Sequence, residues 1–93
     1  MNTSEKLILI DGKFDHEEAK GILMNIFATK IQFHELKNFS AQERNGKDDE
    51  TAIKRIPELK KAMISIESLL GEAKSRNKKL ILKSEVNFTF SDE

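Results

Sequence analysis

An α+β domain with the order strand, helix, helix, strand is what this chain predicts. Two long helices should form an antiparallel hairpin packed on a small two-stranded antiparallel sheet. Three observations carry that reading. Four aliphatic residues run together at Leu7–Ile10. Two long segments then place apolar residues at steps of three and four, with a single polar turn between them. The segment Leu80–Phe90 closes the chain with apolar and polar residues in alternation. At 93 residues the whole chain, 1–93, is one domain.

The first strand is expected over about 6–10, because a short aliphatic run ended by Asp11-Gly12 reads as a strand reaching a turn. Asp15 follows as an N-cap, with Glu18 three residues on completing a capping box. Glu17 and Glu18 also place negative charge at the positive end of the helix dipole. The first helix is therefore expected over about 16–44, with Asn45-Gly46 as its stop. It is apolar on two sides. Ala19, Ile22, Ile26, Thr29, Phe33 and Leu36 form one face, whereas Met24, Phe27 and Ile31 lie on another. The first face is expected to take the second helix, and the other a sheet or another subunit.

Lys47-Asp48-Asp49-Glu50 is the polar turn, in which Asp48 or Asp49 can cap the second helix. That helix is expected over about 50–76. Its apolar residues Ala52, Ile56, Leu59, Met63, Ile66, Leu70 and Ala73 alternate steps of four and three, a coiled-coil-like seam. Pro57 falls inside it, where a proline removes a hydrogen bond and crowds the preceding turn. Either the helix kinks there or it starts there. The last strand, about 80–90, sets Leu80, Leu82, Val86, Phe88 and Phe90 on one face and mostly polar residues on the other.

Composition excludes several classes. The chain has 16 basic and 16 acidic residues, so it is neither a highly charged disordered segment nor a wholly basic nucleic-acid-binding protein. It has no cysteine, which removes disulfides and thiolate metal sites as supports for a modest core. Small domains of this kind often gain the remaining stability by oligomerising. No apolar stretch approaches the about 20 residues of a membrane span. The run after Lys6 is also shorter than the apolar region of a signal peptide. The expected location is the cytoplasm, with no membrane partner. The triplets at Asn2, Asn38 and Asn87 match a glycosylation pattern by coincidence.

No set of residues carries a catalytic, cofactor or metal signature. His16 and His34 have no second histidine at ligand spacing. Asp11, Asp15, Glu17 and Glu18 are accounted for by helix capping, and the glycines are isolated rather than gathered in a phosphate loop. The expectation is a non-enzymatic interaction or assembly module that pairs with a second copy of itself. Leu7, Leu9, Met24, Phe27 and Ile31 are the candidate dimer-interface residues.

The alternative is a small nucleic-acid-binding or regulatory protein. Residues 51–83 hold nine basic and three acidic residues, a net of +6. Lys74, Arg76, Lys78, Lys79 and Lys83 crowd the junction of the second helix and last strand, a candidate anion or nucleic-acid patch. Aromatic residues are not interleaved there, and the acidic start of the first helix should lie nearby, so nucleic acid ranks second.

Overall fold

The computed structural model describes residues 4–93, so Asn2 and Thr3 of the first glycosylation-like triplet lie outside the described residues. The order is β1 (Ser4–Phe14), α1 (His16–Asn45), α2 (Glu50–Ser75) and β2 (Leu80–Thr89). The strands pair antiparallel in a two-stranded sheet and the helices form the hairpin, as the sequence predicts.

The helix ends are closed by the chemistry the sequence announces. Glu18 N–H donates to Asp15 Oδ1 at 2.8 Å, and Asp15 N–H donates to Glu18 Oε1 at 3.0 Å, a complete capping box. Gly46 ends α1 at φ 67, the left-handed conformation that glycine adopts without strain. Asp49, rather than Asp48, caps α2 by accepting from Ala52 N–H at 3.0 Å. The C-terminus of α2 closes in a Schellman motif: Lys78 N–H donates to Ala73 C=O and Asn77 N–H to Lys74 C=O. Asn77 supplies the left-handed residue at φ 52, and the chain turns from there into β2. Pro57 neither starts nor ends α2, which is continuous through it.

The hydrogen bond from Glu18 N–H holds the Asp15 carboxyl below its ordinary pKa. The contribution of a depressed carboxyl is whole above its ordinary range and fades as pH falls through the folded value. Asp15→Ala is therefore expected to lower the melting temperature at pH 7. The gap from wild type should close by about pH 2, below the usual carboxylate range. Melts followed by circular dichroism at the two pH values check this, and a gap of equal size at both would refute a charge-dependent cap.

The strand β1 runs longer than expected because Asp11-Gly12 does not turn the chain. Gly12 lies opposite Leu82, and the Phe14 ring folds over it. A Cβ at Gly12 would meet Phe14 Cζ at 3.1 Å, so the missing side chain makes room for the ring. Its use is same-face packing within one strand rather than a bend.

The face of α1 that meets α2 also differs from the expected one. The α2 seam is as read: Ala52, Leu59, Leu70 and Ala73 are buried, and Ile56, Met63 and Ile66 are half-buried. Opposite it, α1 buries Ala19, Ile31 and His34, with Leu23, Phe27, Asn38 and Ala41 half-buried. Ile22 is half-buried, but Ile26, Phe33 and Leu36, expected to carry this contact, are exposed.

The cause is the turn. Asp49 N–H donates to Asn38 Oδ1 at 2.7 Å, and Gln42 Nε2 donates to Asp48 Oδ1 at 2.6 Å. Those bonds fasten the turn to the Asn38–Gln42 side of α1, so α2 returns along that side. Asn38, a polar residue that looks like a gap in an apolar stripe, anchors the turn there.

The molecule is a thin plate. Its extents are 50 × 36 × 15 Å. A helix of 30 residues accounts for about 45 Å of the longest dimension. The radius of gyration is 16.8 Å, against about 12 Å for a compact domain of this length. The ribbon of β1 and β2 touches the helices only sparingly.

Candidate interaction surface

The ribbon has two unlike faces, and a bulge sorts its residues between them. In β2, Leu80, Leu82, Ser84, Val86 and Phe88 share one side, and cross-strand partners of an antiparallel pair lie on the same side. Their partners are Phe14, Gly12, Ile10, Leu7 and Glu5. Uninterrupted alternation from Ile10 would bring Ile8 and Lys6 to that side. The register slips by one residue between Ile8 and Ile10, which leaves Leu9 as the extra residue and puts Leu7 beside Val86. The reverse side carries Lys6, Ile8, Asp11 and Lys13 with Ile81, Lys83, Glu85 and Asn87. A Lys6–Glu85 ion pair at 3.8 Å and the Asp11–Lys83 register pair lie across it.

The apolar face is covered along only part of its length. Where the ribbon leaves the helices, Ile10 is buried, and Phe14, Leu80 and Leu82 are half-buried. Further out nothing among the described residues lies over it. Leu7 is 53% exposed, Val86 39% and Phe88 49%, with Phe90 open just beyond the strand. A shallow concavity at this tip is lined by Leu7, Phe88 and Phe90 with Ser4, Glu5 and Thr89. Both ribbon edges lack a neighbouring strand among the described residues. An open apolar strand pair of this kind is a surface suited to protein contact.

Of the five candidate interface residues, Leu7 and Leu9 are exposed on this ribbon. Ile31 is buried on the face of α1 that meets α2, and Met24 and Phe27 are half-buried. The exposed apolar residues of α1 are instead Ile26, Phe33, Leu36 and Phe39. Sequence reasoning placed Val86 and Phe88 on the right face of β2 but did not see that the helices stop short of them. The reach of a neighbouring element leaves no mark on a strand's own period.

Lys74, Arg76, Lys78, Lys79 and Lys83 are all exposed at the junction of α2 and β2. They are not an open field of positive charge. Arg76 pairs with Glu72 at 2.9 Å, Lys83 stands opposite Asp11, and Lys74 shares a surface groove with Glu17 and Glu67. Among the described residues, no group of three His, Asp or Glu is placed to hold a metal ion. His34 is buried in the α1 face that packs on α2, and neither ring nitrogen has a hydrogen-bond partner among the described residues. No helix of the structure is long and apolar enough to cross a membrane. Family models, curated proteins and solved structures contain no match to this chain.

Proposed function

We propose that this chain is a non-enzymatic assembly module that pairs with a second copy of itself through its ribbon. The observation that carries this reading is the apolar ribbon face, buried near the helices and bare at Leu7, Val86 and Phe88. A compact domain would cover such a face itself. A radius of gyration well above the compact value supports a partner as the cover. Two-fold pairing is the commonest arrangement and lets one patch serve on both subunits. The cysteine-free sequence supports a cytoplasmic setting.

The alternative is nucleic-acid binding through Lys74, Arg76, Lys78, Lys79 and Lys83. It ranks lower because three of these five have acidic neighbours, which weakens any phosphate field.

Sedimentation equilibrium at micromolar concentration tests the first reading. Wild type should give twice the mass of the 10.7 kDa chain. Phe88→Glu combined with Val86→Glu should give a monomer with an unchanged helical circular-dichroism signal. A wild-type monomer, or a double variant that stays dimeric, sinks the ribbon interface.

A further inference from the structure

The apolar face of α1 that α2 leaves uncovered keeps heptad spacing, with Thr29 its one polar position. Ile22, Ile26, Thr29, Phe33 and Leu36 follow one another at steps of four, three, four and three. That is the spacing of the a and d positions of a coiled coil, with Ile26 and Phe33 at a. In α2 the same spacing is used inside the fold. In α1 it is turned outward, with Phe33 50% and Leu36 60% exposed. A shallow concavity lies along the seam between Ile26 and Phe33, bordered by Asn25, Thr29 and Lys30.

The flanks say what would fit. In a coiled coil, the e and g positions face the flanks of the partner and set its identity through charge. The e positions of this seam are Leu23, Lys30 and Lys37, so its two outer heptads each carry a basic flank, and Arg44 lies one heptad further on, past Ser40 and Glu43. The g positions are Asn25, Gln32 and Phe39, all uncharged. Two of the basic groups lean onto the seam itself: Lys30 Nζ is 4.6 Å and Lys37 Nζ 5.8 Å from the centre of the Phe33 ring. Cations held over an exposed aromatic ring stand where an incoming acidic side chain would meet them.

We infer that this seam is the docking site for an amphipathic helix of another protein, one whose apolar stripe is flanked by acidic residues. A second copy of this chain is a poorer occupant. Laid antiparallel, it sets e against e and so basic against basic. Laid parallel, it sets the basic flank against an uncharged one and gains nothing from charge. A helix with Glu or Asp on its flanks pairs with both Lys30 and Lys37 while burying Ile26, Phe33 and Leu36. This surface is separate from the ribbon and holds whatever the oligomeric state.

The test uses the full chain and two synthetic 21-residue helical peptides with Leu at every a and d position. One carries Glu at all e and g positions and the other Lys, so that each repels its own copies and stays single. Binding is read by fluorescence anisotropy of labelled peptide. The acidic peptide should bind about fivefold more tightly than the basic one, the sum of two exposed ion pairs of ordinary strength. The preference should shrink in 0.5 M salt. Phe33→Ala should weaken binding, and Lys30→Glu with Lys37→Glu should reverse the preference. Lys78→Glu with Lys79→Glu, at the other basic cluster, should leave it unchanged.

Equal binding of the two peptides, or none, overturns the inference. So does a loss of preference caused by the Lys78 and Lys79 changes. Conversion of a wild-type dimer to monomer by Phe33→Glu would also overturn it, by showing that a second copy occupies the seam. Failure of the ribbon reading is read separately, from the Phe88 and Val86 double variant.

Discussion

Ile31→Ala is expected to destabilise the domain by roughly 2–5 kcal/mol, whereas Phe33→Ala, two residues away, should change stability by about 0.5 kcal/mol or less. Ile31 is 8% exposed and lies on the face that α2 covers. Truncating it removes buried apolar surface and leaves a cavity that the helix pair can only partly close. Phe33 has half its surface in water and meets no helix in its own chain along the outer seam.

Leu59→Ala on the facing seam, at 6% exposure, should behave as Ile31→Ala does. For a domain of this size each kcal/mol moves the melting temperature by about 4–8 °C, so the core variants lose at least about 8 °C. Urea unfolding followed by circular dichroism measures all three variants against wild type. A larger loss for Phe33→Ala than for Ile31→Ala would show that α2 packs on the outer seam after all.

That contrast also marks how far the sequence can be read. Helix ends were legible because capping is local: Asp15, Glu18, Gly46 and Asp49 act within a few residues of themselves. The α2 seam was legible because its seven apolar residues keep the steps of four and three without a miss. The choice between the two faces of α1 was not. It depends on hydrogen bonds from the turn to Asn38 and Gln42, polar residues that count against burial in any apolar pattern.

Two features of the strands were hidden for related reasons. Gly12 is a turn signal by composition, but the ring of Phe14 two residues later makes it a strand residue. The slip at Leu9 moves Leu7 to the face of Val86, and a bulge of one residue has no signature in a run of four aliphatics. The candidate interaction surface combines both difficulties. Its residues follow a visible period, but their exposure is set by where other elements end.

His34→Leu is expected to stabilise the protein by about 1–3 kcal/mol, the cost of an unsatisfied buried polar group. His34 is 5% exposed, and neither ring nitrogen has a hydrogen-bond partner among the described residues. Its ring meets the edge of Phe33 at 5.4 Å between centroids and 72° between planes, a contact that satisfies neither nitrogen. Leucine has a comparable volume and no polar atoms, so the exchange removes the desolvation cost without opening a cavity. His34→Ala gives the opposite sign, because there the lost volume outweighs the relieved nitrogens.

Thermal melts of the two variants should fall on either side of wild type. A destabilised His34→Leu would mean that the imidazole nitrogens make a bond in the assembled protein. The sign matters for function as well as stability. With His34 and Asn38 in it, the face of α1 that α2 covers is the less apolar of the two. The seam of Ile26, Phe33 and Leu36 stays outside. Anchoring the turn on the weaker face leaves the stronger one free for a partner. His34→Leu should therefore raise the melting temperature and leave the affinity for the acidic peptide unchanged, since the two faces are used for different contacts.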